Sequence, residues 1–489
     1  MEGSHLQQQP HSQVEEPAST AGGLVSVDFL PNCTKPGGFI HWAQFEPFPV
    51  IFQRANQWLT KNPTLELRTC ETVEFHTRSS GEVVNSVESV YRTSGEGANR
   101  YVRGLRLWMQ PRIDGGSVVQ QIGYFNVMPT VRVGFFTTDV SHRLDSLIHE
   151  TNALFTSNPL PGKLLTIETV TLKVSSSGTD PDCTSWTERG GLSQVFAYML
   201  RIFYIQGPPA LEMIGVADFV PGVLFDGGLF HRPQLEPFPQ VLGKAHHWLL
   251  QQQPGLRLLN AQTLLHKQKW TSHLDTLRMV YSENDLHTYY VRYIRLAYVI
   301  PNPAYGGRSE GAVRLNSKLF VPGMLEAPGC CSVGSYENQL QIRERMSAWM
   351  RATGAKVISV ETVPMRIFSG AEAVEGFDTM HTWNQVVHHN TTGTNHHPVG
   401  HVGVGIHASN FGQFNFGSNH HHHASTFGQG SNFNHGHMDS NHREAKAAEV
   451  YLTLYRVYID GVFAEPFGMP TLPSVEDYMA DRANACTIL

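Results

Sequence analysis

An internal repeat constrains this chain more than any other feature of its sequence. The tripeptide Glu-Thr-Val occurs at residues 71–73, 168–170 and 361–363, and a looser copy, Gln-Thr-Leu, occurs at residues 262–264. The four threonines are 97, 94 and 99 residues apart. A period of this size corresponds to one small domain, and a chain of 489 residues is too long for a single hydrophobic core. The sequence therefore predicts four tandem units of about 95 residues each.

Each unit shows the same order of predicted elements. A short alternating run that ends in proline predicts a first strand, because proline cannot donate to a strand ladder. A stripe of apolar residues at helical spacing follows, as at Val241, Leu242, Ala245, Trp248 and Leu249. The Glu-Thr-Val segment and a last apolar strand complete the unit. The predicted fold class is α+β, with four tandem strand-helix-strand-strand repeats paired into two pseudo-symmetric blocks of antiparallel sheet covered by helices.

The domain boundaries follow from the same period. Units 1 and 3 share the segment Glu-Pro-Phe-Pro before the helix, at residues 46–49 and 236–239, which indicates that a two-unit block was duplicated. The predicted domains are a disordered tail at 1–22, unit 1 at 23–114, unit 2 at 115–207, unit 3 at 208–302, unit 4 at 303–465 with a histidine-rich insertion at 371–446, and a tail at 466–489.

The last strand of each unit carries an arginine among apolar and aromatic residues. In unit 1, Leu105 and Leu107 alternate with Arg106, so we expect the leucines under the helix and the arginine on the opposite face. We also expect the valines of the Glu-Thr-Val segments to face the helix and the threonines to face the arginines. The equivalent arginines of the four units are Arg106, Arg201, Arg295 and Arg456.

These arginines allow two interpretations. Arginine beside an aromatic ring can bind an anionic, planar ligand by paired hydrogen bonds and stacking, in a cleft between paired sheets. Alternatively, each arginine bridges two units by bonding to a carboxylate, and the aromatic residues fill the seam between the units. The identical placement in all four units favours the structural interpretation, and a ligand site at these arginines remains the alternative.

The insertion at 371–446 holds 14 of the 26 histidines in the chain. Imidazole binds zinc, nickel and copper, so the run His420, His421, His422 and His423 is a candidate metal site. No cysteine accompanies these histidines, and the surrounding Asn, Gly, Gln and Phe residues are typical of low-complexity sequence. The composition favours a disordered loop with incidental metal affinity over a built metal site or a segment for self-association.

The final residues, Cys-Thr-Ile-Leu at 486–489, match the C-a-a-X pattern for prenylation of Cys486. The terminal leucine favours a geranylgeranyl group, whereas Thr487 departs from the usual aliphatic residue. No basic stretch accompanies the cysteine, so a single prenyl group predicts reversible, peripheral contact with the cytoplasmic face of membranes.

Charge and known motifs restrict the remaining functions. The formal charge of −6 argues against nucleic acid as a partner, and we expect neither a secretion signal nor a membrane-spanning segment. No common catalytic motif is recognisable in the sequence. The sequence favours a non-enzymatic binding or scaffolding protein of the cytoplasm, with reversible membrane tethering through Cys486 as an additional expectation. The alternatives are a protein or enzyme that holds a small molecule between paired sheets, and metal buffering by the histidine-rich loop.

Overall fold

The structure is a computed structural model, and four helices of similar length recur through it. It describes residues 22–38, 42–77, 84–93, 98–133, 138–140, 142–175, 178–189, 194–226, 233–252, 255–268, 274–283, 289–302, 312–326, 334–369, 376–383, 386–390, 442–446 and 449–467. The helices are α1 (Phe48–Lys61), α2 (Leu144–Ser157), α3 (Phe238–Gln251) and α4 (Gln339–Thr353). One predicted helix is thus confirmed in each unit.

The ends of the helices follow from local sequence. Both α1 and α3 carry a proline in the first turn, where its missing N–H leaves no bond unmade. The side chain of Asn338 accepts a hydrogen bond from the backbone N–H of Gln341 at the start of α4. The same helix ends at Gly354, whose φ of 63° lies in the left-handed region that glycine adopts readily.

Every unit also contains four principal strands, numbered here in chain order. The first strands are β1 (Val25–Phe29), β7 (Ile122–Val127), β13 (Met213–Phe219) and β19 (Leu315–Phe320). The inner strands, which contain the Glu-Thr-Val segments, are β4 (Leu65–Thr77), β10 (Gly162–Val174), β16 (Arg257–Gln268) and β22 (Lys356–Ser369). The crossing strands are β5 (Val90–Thr93), β11 (Ser185–Arg189), β17 (Val280–Glu283) and β23 (His381–Trp383). The central strands, which carry the arginines, are β6 (Ala98–Pro111), β12 (Gln194–Gln206), β18 (Tyr289–Ile300) and β26 (Glu449–Asp460).

Short hairpins extend from this framework. Four of them lie between a first strand and its helix, formed by β2 (Cys33–Lys35) with β3 (Gln44–Phe45), β8 (Val131–Val133) with β9 (Thr138–Val140), β14 (Val223–Phe225) with β15 (Gln234–Leu235), and β20 (Met324–Glu326) with β21 (Ser335–Tyr336). The fifth pairs β24 (Val386–Asn390) with β25 (His442–Lys446) at the base of the histidine-rich segment.

The crossing strands join the units into a closed ring. Each central strand pairs along one edge with its own inner strand, and along the other edge with its own first strand and the crossing strand of the next unit. Strand β5 of unit 1 completes the cycle by pairing with β26 of unit 4, where Val90 lies opposite Leu452. All these pairs are antiparallel, and the four sheets form a propeller-like arrangement with the inner strands side by side around the axis.

This closure corrects the predicted grouping of the repeats into two blocks. All four seams between successive units are built from the same strand exchange, so the strand pairing shows a fourfold cycle rather than two pairs. We number each seam after the unit that supplies its helix: the first seam joins units 1 and 2, and the fourth joins units 4 and 1. Residues 376–383, which fall within the predicted insertion, belong to the ring as the crossing segment of unit 4.

The hydrophobic core is divided among the seams. In the first seam, Ile51 and Ala55 of α1 pack with Leu105 and Leu107 of their own sheet, and Phe203 of unit 2 closes the same cluster. The other three helices each lie in an equivalent cluster that includes residues of the following unit. The prediction that Leu105 and Leu107 lie under the helix is therefore confirmed.

The prediction for the Glu-Thr-Val valines is wrong. In unit 1, Cys70 packs with the helix cluster, and the register places Cys70 opposite Leu107 and Thr72 opposite Leu105. The threonine therefore shares the sheet face that the helix covers. In unit 2, Val170 packs instead with Leu172 and Met199 in a separate cluster.

Candidate functional site

The four arginines of the central strands lie inside the seams. All four are at most 4% exposed, and each guanidinium donates to the threonine of the preceding unit. Arg106 bonds Thr362 at 2.8 Å and Arg201 bonds Thr72 at 3.1 Å. The remaining pairs are Arg295 with Thr169 at 3.1 Å and Arg456 with Thr263 at 2.9 Å.

A carboxylate or amide from the same unit as the arginine accepts from the same threonine. Glu71 accepts from the backbone N–H of Thr362 at 3.0 Å and from its hydroxyl at 2.7 Å. Glu168 accepts hydrogen bonds from the backbone N–H and the hydroxyl of Thr72. Glu361 accepts hydrogen bonds from the same two groups of Thr263. In unit 3 the acceptor is the amide of Gln262, 2.7 Å from the N–H of Thr169. The repeated Glu-Thr pair thus forms hydrogen bonds that link successive units.

Burial dominates the protonation of these acids. It raises the pKa of Glu168 to about 7, although Arg201 and Thr72 oppose the shift. Burial likewise raises the pKa of Glu71 and that of Glu361. The same desolvation lowers the pKa of Arg201 to about 10. The attraction between these groups therefore does not fully offset the loss of hydration.

The residue opposite each arginine on the first strand distinguishes the seams. Arg106 holds Asp28 through two parallel hydrogen bonds of 2.6 and 2.9 Å, and Arg295 holds Asp218 through two of 2.7 Å. Arg201 donates to Asn126 at 3.0 Å. The residue paired with Arg456 is Leu319, which cannot accept a hydrogen bond. Within the described part of the chain, the Nε of Arg456 has no hydrogen-bond partner.

A second contact also differs between the seams. Asn56 of α1 accepts from the N–H of Ile122 at 2.8 Å and donates to its carbonyl at 3.0 Å. Asn152 of α2 makes the same two bonds with Ile214, at 2.8 and 2.9 Å. We call this contact the asparagine clamp. The equivalent position of α3, eight residues after the start of each helix, is His246, whose Nδ1 is buried and has no hydrogen-bond partner among the described residues.

In the first seam, aromatic side chains fill the space beside the clamp. The ring of Tyr124 lies against Phe48 and Phe52, with centroid distances of 5.2 and 4.7 Å, and its hydroxyl donates to Asp182 at 3.0 Å. The residue equivalent to Tyr124 in the third seam is Ser317, which lines an open volume there, and the other two units carry Ser26 and Val216 at this position.

The fourth seam is closed by other means. Arg343 of α4 donates to Asp28 at 2.7 Å and to the hydroxyl of Tyr455 at 2.8 Å. The backbone of unit 1 also approaches α4 closely, because a Cβ at Gly23 would lie 2.2 Å from the hydroxyl oxygen of Ser347. Ser347 occupies the clamp position of α4, so direct backbone packing replaces the clamp there.

The third seam contains a cavity of about 360 Å³. Apolar walls come from α3 and β19, and Arg456, His246 and Asp378 contribute the ionisable groups. The guanidinium of Arg456 lies 3.6 Å from the ring centroid of Phe238 and is fixed by its bond to Thr263. This volume lies at the lower end of the range for small-molecule pockets.

The structure places the predicted site residues as follows. Arg106, Arg201, Arg295 and Arg456 occupy equivalent buried positions in four different seams, so they do not form one site, and only Arg456 lines the 360 Å³ cavity. The residues His420, His421, His422 and His423 and the prenylation candidate Cys486 lie outside the described residues. Among the residues that the structure describes, no group of three His, Cys, Asp or Glu side chains could hold a metal ion.

Sequence reasoning missed the residues that set the third seam apart. His246 and Leu319 follow no known motif, but His246 replaces the asparagine of α1 and α2, and Leu319 replaces the polar residue that lies opposite the other three arginines. A residue-by-residue comparison of the four units at the clamp position and opposite each arginine would have identified these two, whereas Ser317 stands at a position that varies among the units. Within the described ranges, no helix is long and apolar enough to cross a membrane.

Comparison with protein-family models, with curated proteins and with solved structures finds no match to this chain. The differences between the four seams are therefore the guide to its function.

Proposed function

We propose that this chain is a non-enzymatic binding protein whose closed ring holds one small-molecule cavity in the third seam. The observation that carries this proposal is the contrast between seams of the same design. Tyr124 and Asn56 fill and fasten the first seam, whereas Ser317 and His246 stand at those positions beside the 360 Å³ cavity. A seam that leaves an open volume of this size beside a buried arginine is suited to hold a ligand.

The contacts of Arg456 support binding rather than catalysis. Its guanidinium bonds Thr263 and the carbonyl of Phe377, and it rests on the ring of Phe238. These contacts fix a positive charge in the cavity wall, and an arginine does not release its proton at physiological pH. A fixed, permanently charged donor recognises an anion well and transfers protons poorly.

Filling the cavity tests this function. We expect Ser317→Tyr, which introduces the side chain found in the first seam, to abolish binding of the neutral probe 2-naphthalenemethanol. We expect Ser317→Ala, which keeps the cavity open, to bind the probe as the wild type does. Probe fluorescence during titration measures both affinities, and near-ultraviolet circular dichroism confirms that each variant is folded. Equal affinity of the folded tyrosine variant and the wild type would disprove the cavity as a binding site.

Two other functions stay predictions. Prenylation of Cys486 and metal binding by the histidine-rich loop both concern residues outside the described ranges. The described ladder of β24 and β25 places Asn390 opposite His442, so the ends of the 391–441 segment meet at one place beside unit 4. The ring could therefore also serve as a scaffold for that segment.

A further inference from the structure

We infer that the ligand of the third seam is a small monocarboxylate with a planar, apolar body, and that Arg456 binds its carboxylate group. This inference rests on the proposed binding function and names the chemical class of the ligand. It follows from what Arg456 lacks, from the shape of the equivalent seam, and from the charges in the cavity wall.

The missing partner of Arg456 identifies the charged group of the ligand. Arg106 and Arg295 each donate through Nε and Nη2 to the two oxygens of an aspartate on the first strand. In unit 4 the strand offers Leu319 at that position, and Nη2 of Arg456 has only a long contact of 3.4 Å to the carbonyl of Phe377. A carboxylate from a ligand would complete the paired geometry that guanidinium groups favour.

The first seam shows what shape the body of such a ligand has. Tyr124 places a flat six-membered ring against Phe48 and Phe52. The equivalent surface in the third seam consists of Phe238 and Leu242, and both line the cavity. An aromatic ring of the ligand can pack on this surface where Ser317 leaves the volume open.

The remaining polar groups limit the ligand to one negative charge. Asp378 lines the same cavity as Arg456, and an acidic residue there disfavours a second anionic group on the ligand. Glu361 adds negative charge nearby, since its Oε2 is 3.8 Å from Nη1 of Arg456. His246 also lines the cavity, and its imidazole can exchange a hydrogen bond with a polar substituent on the ligand.

The test compares two probes of the same shape that differ in charge. We expect 2-naphthoate to bind the full-length protein at least about tenfold more tightly than 2-naphthalenemethanol at neutral pH, because only the naphthoate can form the charged bond. We expect Leu319→Asp, which supplies the aspartate found opposite Arg106 and Arg295, to remove this preference. Its affinity for naphthalenemethanol should stay within about twofold of the wild type, because Phe238 and Leu242, on which the naphthalene ring packs, are retained.

A matched variant and a substitute complete the design. Asn126→Asp introduces the same acid opposite Arg201 in the first seam and should leave the affinity for both probes unchanged. If circular dichroism shows that Leu319→Asp is unfolded, Leu319→Asn copies the contact of Asn126 with Nε and should also remove the preference.

Each outcome decides between the proposals. Binding of both probes with equal affinity would overturn the carboxylate assignment and leave the cavity function intact. Binding of neither probe would overturn both. A preference for naphthoate that survives in the folded Leu319 variant would show that Arg456 is not the binding group.

Discussion

At the scale of single residues, burial affects the protonation of the acids in the seams as strongly as their hydrogen-bond partners do. Glu168 lies between Thr72 and Arg201, and its pKa rises to about 7 because the carboxylate loses its hydration. The folded state therefore binds a proton between about pH 4.5 and 7 that the unfolded chain has released. The bound proton on Glu168 therefore contributes stability that is fully present below the pKa of this glutamate in the unfolded chain. That stability is lost as the pH rises through the folded-state pKa of about 7.

Glu168→Gln should remove that part of the pH dependence. Gln262 shows that an amide fits the same position, where it accepts from Thr169 at 2.7 Å. We expect the free energy of unfolding of the wild type to fall by about 1–3 kcal/mol more than that of the variant between pH 5 and pH 8. Urea unfolding at both pH values measures the difference, and Glu66→Gln, at a partly exposed acid, is the control. Parallel pH profiles for wild type and Glu168→Gln would contradict this account.

Asp28 shows the opposite balance. Burial raises the pKa of Asp28, but the guanidiniums of Arg106 and Arg343 outweigh burial and hold it well below the usual range. The sequence located Arg106 on the correct sheet face, because strand alternation alone decides that placement. It could not show that Arg343 reaches Asp28, since a helix of unit 4 and a strand of unit 1 meet only when the ring closes.

At the scale of elements, the asparagine clamp attaches a helix to the first strand of the next unit. Asn56→Ala would leave the buried N–H of Ile122 without its partner and should lower the free energy of unfolding by about 2 kcal/mol. Conversely, His246→Asn should restore a clamp in the third seam and raise the free energy of unfolding by about 1 kcal/mol. Chemical denaturation measures both changes.

The exposed neighbour of His246 provides the control for this pair. His247→Asn changes the same side-chain types one position along α3, outside the seam, and should leave stability unchanged. A loss of stability in His246→Asn as large as that in Asn56→Ala would show that the clamp position of α3 has a different role.

The elements also show how far sequence patterns can predict this fold. Helical periodicity and proline placement predicted α1 to α4, because both signals are local. The inner strands were assigned the wrong phase, since each contains an irregularity just before its Glu-Thr-Val or Gln-Thr-Leu segment, such as the shift between Leu67 and Thr69. The crossing strands were not predicted, because each is a run of three to five residues that pairs only with another unit.

At the scale of the whole molecule, the repeat period predicted four units but not their closure. The pairing of Val90 with Leu452 joins unit 1 to unit 4, so the two residues lie far apart in the sequence. No local pattern records such a contact, whereas the alternative of two blocks follows easily from the shared segments of units 1 and 3. The seams retain a trace of that relationship, because Arg201 rests on Phe48 as Arg456 rests on Phe238.

A closed ring should tolerate a change in where the chain begins. The two ends of the described ring meet at α4, where Leu24 lies in the same cluster as Trp349 and Phe463 packs against that cluster. A permuted chain can therefore start at Gly115 and end at Asp114, with a linker of about ten Gly and Ser residues from Glu465 to Gly23. The new ends lie in an exposed turn, beside Ile113, whose side chain is 95% exposed.

We expect this permuted protein to unfold in one cooperative transition with a midpoint close to that of a linear chain of residues 23–465, because all four seams are preserved. A second permuted chain that opens between Leu105 and Arg106 serves as the control. It should not fold, since that cut interrupts a central strand that pairs with three others. Calorimetry and circular dichroism measure both. Two separate transitions in the first permuted chain would mean that the units fold as independent blocks and that the ring is not one cooperative structure.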